Sequence, residues 1–131
     1  MMEWTKDKDY TNTYYTTKKF NGYQYNVFIV VEDNTKSVKY WVSVSSGKKR
    51  AEFEVFEDKE NKSLGGIRAL FWIKEAMYDF PEFYSNYVDG RKQYICIGWA
   101  DSRRRDIYSR LQKEGFTFTM EWGKKVLMKK L

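Results

Sequence analysis

Apolar and polar residues alternate along three segments in the first half of the chain, and a period of two is typical of half-buried strands. Polar turn residues precede the first segment at positions 21–22 and separate the three segments at positions 32–34 and 45–47. Strands joined by such short turns pair as an antiparallel meander. The residues expected to point inward are Tyr23, Tyr25, Val27, Ile29 and Val31, then Val38, Tyr40, Val42 and Val44, then Ala51, Phe53 and Val55.

After a polar loop at residues 58–63, the apolar period changes from two to about 3.6, which predicts a helix. Leu70, Ile73, Met77 and Phe80 fall on one of its faces. Their arc is wider than a half-exposed surface helix needs, so we expect this helix to be well buried against the sheet. We expect it to end at a proline, because proline disfavours the helical conformation of the residue before it. The proline is Pro81, and the charged stripe on the other face comprises Arg68, Glu75 and Asp79.

The second half of the chain continues with a nearly unbroken apolar run at residues 94–100, as a central strand buried on both faces would have. A second helix is predicted at residues 103–114, with an N-cap at Asp101 or Ser102 and a glycine C-cap at Gly115. Strict alternation then predicts another strand, and residues 125–131 form the last one. The alternating residues on one face are Phe116, Phe118, Met120 and Trp122.

This succession predicts a single α+β domain spanning residues 1–131, with the element order β-β-β-α-β-α-β-β and a mixed, mostly antiparallel sheet. Residues 1–20 are rich in Thr, Tyr, Lys and Asp without a clear period. They are expected to form an irregular or weakly stranded N-terminal arm.

The composition excludes several kinds of site. The 131 residues include no histidine and one cysteine, so a histidine-based catalytic triad is excluded and no metal site is expected. The cysteine, Cys96, lies inside the apolar run and is interpreted as a core residue with an inert thiol. A single buried cysteine and the absence of a long apolar segment indicate a soluble, cytoplasmic protein. The abundance of Lys, Asn and Tyr hints at a bacterial or phage genome.

The formal charge of +6 favours anionic partners, namely nucleic acid, an acidic protein or a phosphorylated cofactor. The densest basic cluster is Arg103-Arg104-Arg105, at the start of the second predicted helix. A solvated basic surface is the simpler alternative for this cluster.

From about residue 22 to the end, the predicted order resembles the GNAT superfamily of acetyl-CoA-dependent N-acetyltransferases. In that family a loop of pattern (Gln/Arg)-x-x-Gly-x-(Gly/Ala) binds the cofactor pyrophosphate at a helix N-terminus, where backbone N–H groups and the helix dipole favour anions. The segment at residues 62–70 is similar. Lys62 and Gly65 match in one register, and Ser63 and Gly66 match in the register shifted by one.

The resemblance implies acetyl-CoA as the cofactor and an acyl-CoA N-acyltransferase-like fold. In the family, the strand before this helix splays from its neighbour and holds the pantetheine arm, a role that falls here on Phe53, Val55 and Phe56. The cofactor phosphates would contact residues of the loop and of both helices. These residues are Lys62, Gly65, Gly66, Arg68 and Arg104.

The resemblance also implies two catalytic candidates. Glu54 lies where a glutamate can deprotonate the acceptor amine, although it can equally be a solvent-facing strand residue. The family often has a tyrosine that protonates the departing thiolate, and Leu111 occupies that position here. Tyr108 lies one helical turn earlier on the same face and is the substitute candidate.

Two further functions compete with an acyltransferase acting on the amine of a protein or small molecule. One is a catalytically inactive binding protein with the same fold, for example a phage or mobile-element accessory factor that binds a host protein. The other is a nucleic-acid binder that uses basic turns between aromatic residues. The oligomeric state is open, with a homodimer as one alternative.

Overall fold

The computed structural model describes residues 2–20, 22–46, 67–98 and 110–131. These ranges contain seven strands and one long helix, and residues 110–113 are also helical. The elements are β1 (Thr5–Lys6), β2 (Thr13–Phe20), β3 (Tyr23–Asp33), β4 (Ser37–Ser46), α1 (Ile67–Phe83), β5 (Lys92–Gly98), β6 (Thr117–Glu121) and β7 (Lys124–Lys130).

The seven strands form one sheet in the order β1-β2-β3-β4-β5-β7-β6. Neighbours in this sheet are antiparallel except β4 and β5, which pair in parallel from Ser37–Lys92 to Val42–Ile97. Parallel neighbours cannot be joined by a tight turn and need a crossover connection. That connection includes α1. The described residues are therefore α+β with a mixed, mostly antiparallel sheet, as predicted.

One face of the sheet packs against α1 and forms the core; we call it the helix face, and the opposite side the far face. The alternation of β3 and β4 places their apolar residues on the helix face, as predicted. From α1, the buried residues recur at helical spacing. The buried residues are Tyr25, Val27, Ile29 and Val31 of β3, Val38, Tyr40, Val42 and Val44 of β4, and Trp72, Ile73, Ala76, Met77 and Phe80 of α1. In β5, Ile95, Cys96 and Ile97 are all fully buried, which confirms a strand covered on both faces.

Phe80 is the centre of the aromatic part of this core. Its ring centroid lies 4.9 Å from that of Trp4, 5.3 Å from Tyr14, 5.4 Å from Tyr40 and 5.8 Å from Tyr84. The Trp4 and Tyr40 rings meet it edge-on, the geometry that aromatic quadrupoles favour. Phe80 therefore joins the N-terminal segment and two strands to the last turn of α1.

Arg91 fixes the start of both parallel strands. Its guanidinium donates hydrogen bonds to the Asp33 carboxylate and to the carbonyls of Asn34, Tyr87 and Val88. The hydrogen bond from Arg91 lowers the pKa of Asp33. This arginine thus ties the β3–β4 turn to the segment that leads from α1 into β5.

Two local predictions need correction. The arm at residues 1–20 was expected to be irregular or weakly stranded, but residues 13–20 form the regular strand β2, which pairs with β3 along its whole length. The alternation was hidden because the helix-face positions of this strand include the polar Thr16 and Lys18. Pro81 does not end α1, which continues to Phe83. Proline has no backbone N–H, so the helix lacks the hydrogen bond that residue 81 would donate. Three residues later, the hydrogen bond from the Tyr84 N–H to the Phe80 carbonyl is made at 2.9 Å.

The predicted third strand near residues 51–56 and the second helix up to residue 109 lie outside the described residues. The C-terminal end of that helix is present at residues 110–113. Gly115 follows it with a φ of 104°, the left-handed conformation expected of a C-cap.

We expect Phe80→Ala to lower the free energy of unfolding by about 3–5 kcal/mol, because it removes a fully buried ring and leaves a cavity. Urea unfolding followed by circular dichroism measures this loss. Phe71→Ala is the matched control, because Phe71 lies on the same helix but is 62% exposed. A similar loss for both variants would contradict the assigned core.

Candidate functional site

The carboxyl ends of the two parallel strands lie together at one edge of the sheet, at Ser46 of β4 and Gly98 of β5. Where helices connect parallel strands, ligands bind outside these carboxyl ends. The N-terminal half of α1 lies at the same edge. Its Trp72 ring is 6.0 Å from Phe20, and Phe20 contacts Tyr25, which pairs with Ser46.

At this edge β4 extends beyond its described pairing with β5. The last pair of that ladder is Val42–Ile97, whereas β4 continues to Ser46 and stays paired with β3. A methyl group placed on Gly98 would meet no heavy atom within 4 Å, so the far face of the sheet is open above this residue, which stays paired with Val126 of β7. A strand edge offers backbone N–H and C=O groups to an extended ligand. The strand ends at residues 43–46 and 97–98 are therefore the candidate site.

A buried polar pair lies on the far face at this edge. The Asn26 amide donates a hydrogen bond to Ser45 Oγ at 2.9 Å, and the Gln24 amide donates to Asn26 Oδ1 at 3.1 Å. Asn26 is 8% exposed and Ser45 2% exposed. Polar groups this deeply buried need hydrogen-bond partners. The pair therefore holds β3 to β4 at the point where β4 passes the end of its described β5 ladder.

A charged cluster lies on the far face of the sheet. Lys39 Nζ is 2.7 Å from Glu121 Oε1 and 3.8 Å from Glu32 Oε2. Because β5 and β7 separate β4 from β6, the sheet must be strongly curled for Lys39 and Glu121 to meet. The hydrogen bond to Glu121 raises the pKa of Lys39, which keeps this amine protonated and unsuited to act as a base.

The Cys96 thiol lies near this cluster. Burial raises its pKa to about 12, because the thiolate is disfavoured away from water. Only a thiolate is strongly nucleophilic. The core interpretation of Cys96 is confirmed by its complete burial. The ion pair of Lys39 and Glu121 is a structural clasp between β4 and β6.

A separate open groove of about 870 Å³ runs along the outer side of α1. Asp79 lies in it and accepts hydrogen bonds from the backbone N–H of Met2 and from Trp4 Nε1. Its other charged side chains, Lys18, Lys74, Glu75 and Glu82, carry both signs and do not converge on one point. The groove therefore selects no particular ligand.

Of the site residues predicted from the sequence, Arg68 lies within the described ranges. It is the second residue of α1 and is exposed, one turn before Trp72. Leu111, at the position of the family's tyrosine, is buried in the core. The remaining site residues lie outside the described ranges, and they are Phe53, Glu54, Val55, Phe56, Lys62, Gly65, Gly66, Arg104 and Tyr108.

No protein-family model, curated protein or solved structure matches the chain.

Across the described ranges, no three Asp, Glu, Cys or His side chains are grouped so as to hold a metal ion. No helix in these ranges has the length and apolar character needed to span a membrane.

Sequence reasoning did not identify the polar pair of Asn26 and Ser45 or the clasp between Lys39 and Glu121. Each occupies an ordinary outward position of an alternating strand, where a polar residue is expected. A partner 19 or 82 residues away leaves no local signal.

Ser45→Ala is expected to lower the free energy of unfolding by about 1–3 kcal/mol, because the buried Asn26 amide loses its acceptor. Urea unfolding provides the measurement. Ser43→Ala is the control: this residue lies on the same strand and face but is only half-buried, so its effect should stay within about 0.5 kcal/mol. Equal effects would argue against the buried pair.

The Cys96 thiol should resist modification by a disulfide reagent such as DTNB at pH 8 in the native protein. With its pKa raised to about 12, only about one molecule in ten thousand carries the thiolate at this pH. In urea one thiol per chain should react rapidly. Rapid reaction without denaturant would show that the thiol is accessible and contradict its burial.

Proposed function

We propose that the chain is an acetyl-CoA-dependent N-acyltransferase acting on an amine of a protein or small molecule. The observation that carries this proposal is the end of the β4–β5 ladder at Val42–Ile97, beyond which β4 continues to Ser46 paired with β3 alone among the described strands. Backbone groups at such a strand end suit an extended ligand with amide groups, which is the chemical character of pantetheine.

The resemblance gave the pantetheine role to residues 53–56, which lie outside the described ranges; we propose that the end of β4 at residues 43–46, next to β5, takes part in the same role. Its backbone would bind the amides of the pantetheine arm. Arg68, exposed near the start of the described part of α1, would bind the cofactor phosphates.

Acyl transfer from acetyl-CoA to an amine requires few catalytic side chains. When bound, acetyl-CoA supplies the acyl group as a thioester; the amine nitrogen bonds to the acyl carbon, the C–S bond breaks, and the thiolate takes up a proton. Glu54 is the proposed base that removes the proton from the amine. Tyr108 is the proposed acid for the thiolate, since the pKa of a tyrosine lies close to that of a thiol.

A second function is favoured by the burial of Leu111. Leucine at this position cannot donate a proton, and its packing in the core leaves it no role in chemistry. If Tyr108 does not replace it, the chain is a binding protein that retains the fold without acyl transfer.

Acetyl-CoA and free CoA are expected to raise the melting temperature by mass action. A ligand at a hundred times its Kd adds about 2.7 kcal/mol of stability. Pantetheine and adenosine 3′,5′-bisphosphate, which are two fragments of the cofactor, should each bind more weakly than CoA. Unchanged melting at millimolar acetyl-CoA would reject the proposal.

Arg68→Gln should weaken CoA binding about tenfold or more, because a charge-assisted hydrogen bond contributes about 1.5–3 kcal/mol, and it should leave pantetheine binding unaltered. Lys92→Gln is the matched control, since Lys92 is exposed at the opposite end of β5. Release of CoA thiol in the presence of a panel of amines separates the two functions: binding without release supports the second.

A further inference from the structure

Of the alternating apolar residues at positions 116–122, only the first two are buried or half-buried within a single chain. Phe116 is buried and Phe118 packs half-buried against the core, whereas Met120 is 64% and Trp122 80% exposed. Strict alternation of apolar residues is typical of a strand face that is covered along its length. The outer half of this face lacks that cover within the described chain.

Trp122 also adopts a backbone conformation that does not suit it. It has a φ of 55° and Gly123 a φ of 73°, in a two-residue turn between Glu121 and Lys124. Two successive positive φ angles define a type I′ turn, which prefers Asn-Gly. A bulky residue in this region is an outlier. Neither turn chemistry nor burial accounts for a tryptophan at this position.

β6 forms the more pairable edge of the described sheet. The other edge, β1, has two residues and one of them is Lys6. Proteins usually protect edge strands with lysine, proline, bulges or short length. The register of β6 with β7 is continuous, and its sequence TFTME contains none of these devices. Its one charged residue, Glu121, is held by Lys39 on the far face.

We propose that β6 pairs antiparallel with β6 of a second copy of the chain, about a two-fold axis at Thr119. Hydrogen-bonded and non-hydrogen-bonded pairs alternate along an antiparallel ladder. The pair Glu121–Lys124 closes the turn and is hydrogen-bonded, so the pairs that Phe118 and Met120 form with β7 are non-hydrogen-bonded. The backbone N–H and C=O groups of Phe118 and Met120 therefore point away from β7. The register with the greatest overlap places Phe118 opposite Met120 of the second copy.

This register accounts for the apolar row. On the helix face, Met120 packs against the half-buried Phe118 of the second copy, and Trp122 lies opposite its Phe116, whose ring is already buried in its own chain. Thr117 lies opposite Glu121 of the second copy, so no like charges face each other. The surface is self-complementary, as a two-fold interface requires, and the two sheets become continuous.

Single cysteines test the axis directly. At the axis, Thr119 lies opposite its own copy in a non-hydrogen-bonded pair, where Cα atoms are about 4.5 Å apart, within disulfide range. Thr119→Cys should form a disulfide-linked dimer on oxidation with copper phenanthroline. Thr117→Cys should not form this disulfide, because in the proposed register Thr117 lies opposite Glu121 of the second copy, four residues away from the other Thr117. The wild type should not form a disulfide either, because Cys96 is buried.

Two surface variants test the contacts. Sedimentation velocity over about a hundredfold range of concentration should show a monomer–dimer equilibrium for the wild type. Met120→Lys and Trp122→Asn should each weaken it at least about tenfold, whereas Phe71→Gln, another exposed aromatic, should not. Trp122→Asn should also raise the melting temperature of the monomer, because Asn-Gly suits the turn.

The proposal is overturned if the wild type is monomeric at every concentration, or if it dimerises equally well in both β6 variants. Crosslinking of both cysteine variants, or of neither, would also exclude the proposed axis. None of these measurements involves a cofactor, so their outcome is independent of the acyltransferase proposal.

Discussion

The parallel pairing of β4 with β5 is the constraint on which the rest of the structure depends. Because two parallel neighbours cannot be joined by a hairpin, the chain must leave the sheet after β4 and return at the start of β5. It uses α1 in doing so, and α1 covers the helix face and completes the core. The same geometry brings two carboxyl ends together at one edge. The fold and the candidate site therefore have a common origin.

The two ends of this parallel pair are built from different chemistry. At the amino end, Arg91 joins the β3–β4 turn to the segment before β5, and Tyr40 donates a hydrogen bond to Gln93 at 2.7 Å. Beyond these contacts the ladder is continuous through Val42–Ile97. At the carboxyl end, the polar pair of Asn26 and Ser45 strengthens the attachment of β4 to β3. A strand fixed to one neighbour can diverge from the other without fraying.

Much of this fold could be predicted from periodicity. The inward residues of β3 and β4 and the buried face of α1 were identified because apolar side chains repeat with one period over many residues. β2 was missed because its helix-face positions include Thr16 and Lys18, which erase that signal. The helix end was mispredicted at Pro81, because the helix-breaking propensity of proline applies to a helix interior. In the last turn of α1, the packing of Phe80 and Tyr84 outweighs the loss of one backbone hydrogen bond.

The candidate site was less accessible to sequence reasoning. Which strands are neighbours depends on contacts across the whole chain, and the position of β7 between β5 and β6 leaves no local trace. The family resemblance directed attention to the approach to α1, and Arg68 is the residue of that set whose position is described. The partners of Ser45 and Lys39 are set by register and by the curl of the sheet, neither of which a single strand encodes.

The strand order β5-β7-β6 has a consequence for how the chain assembles. Among the described strands, β6 pairs with β7 alone, which is made after it. During synthesis β6 has no place among the described strands until residues 124–130 emerge, so the formation of β7 is what brings Glu121 to Lys39. Nascent chains that stop short of this strand would expose two unfilled edges, on β5 and on β6, to the chaperones and proteases of the cell.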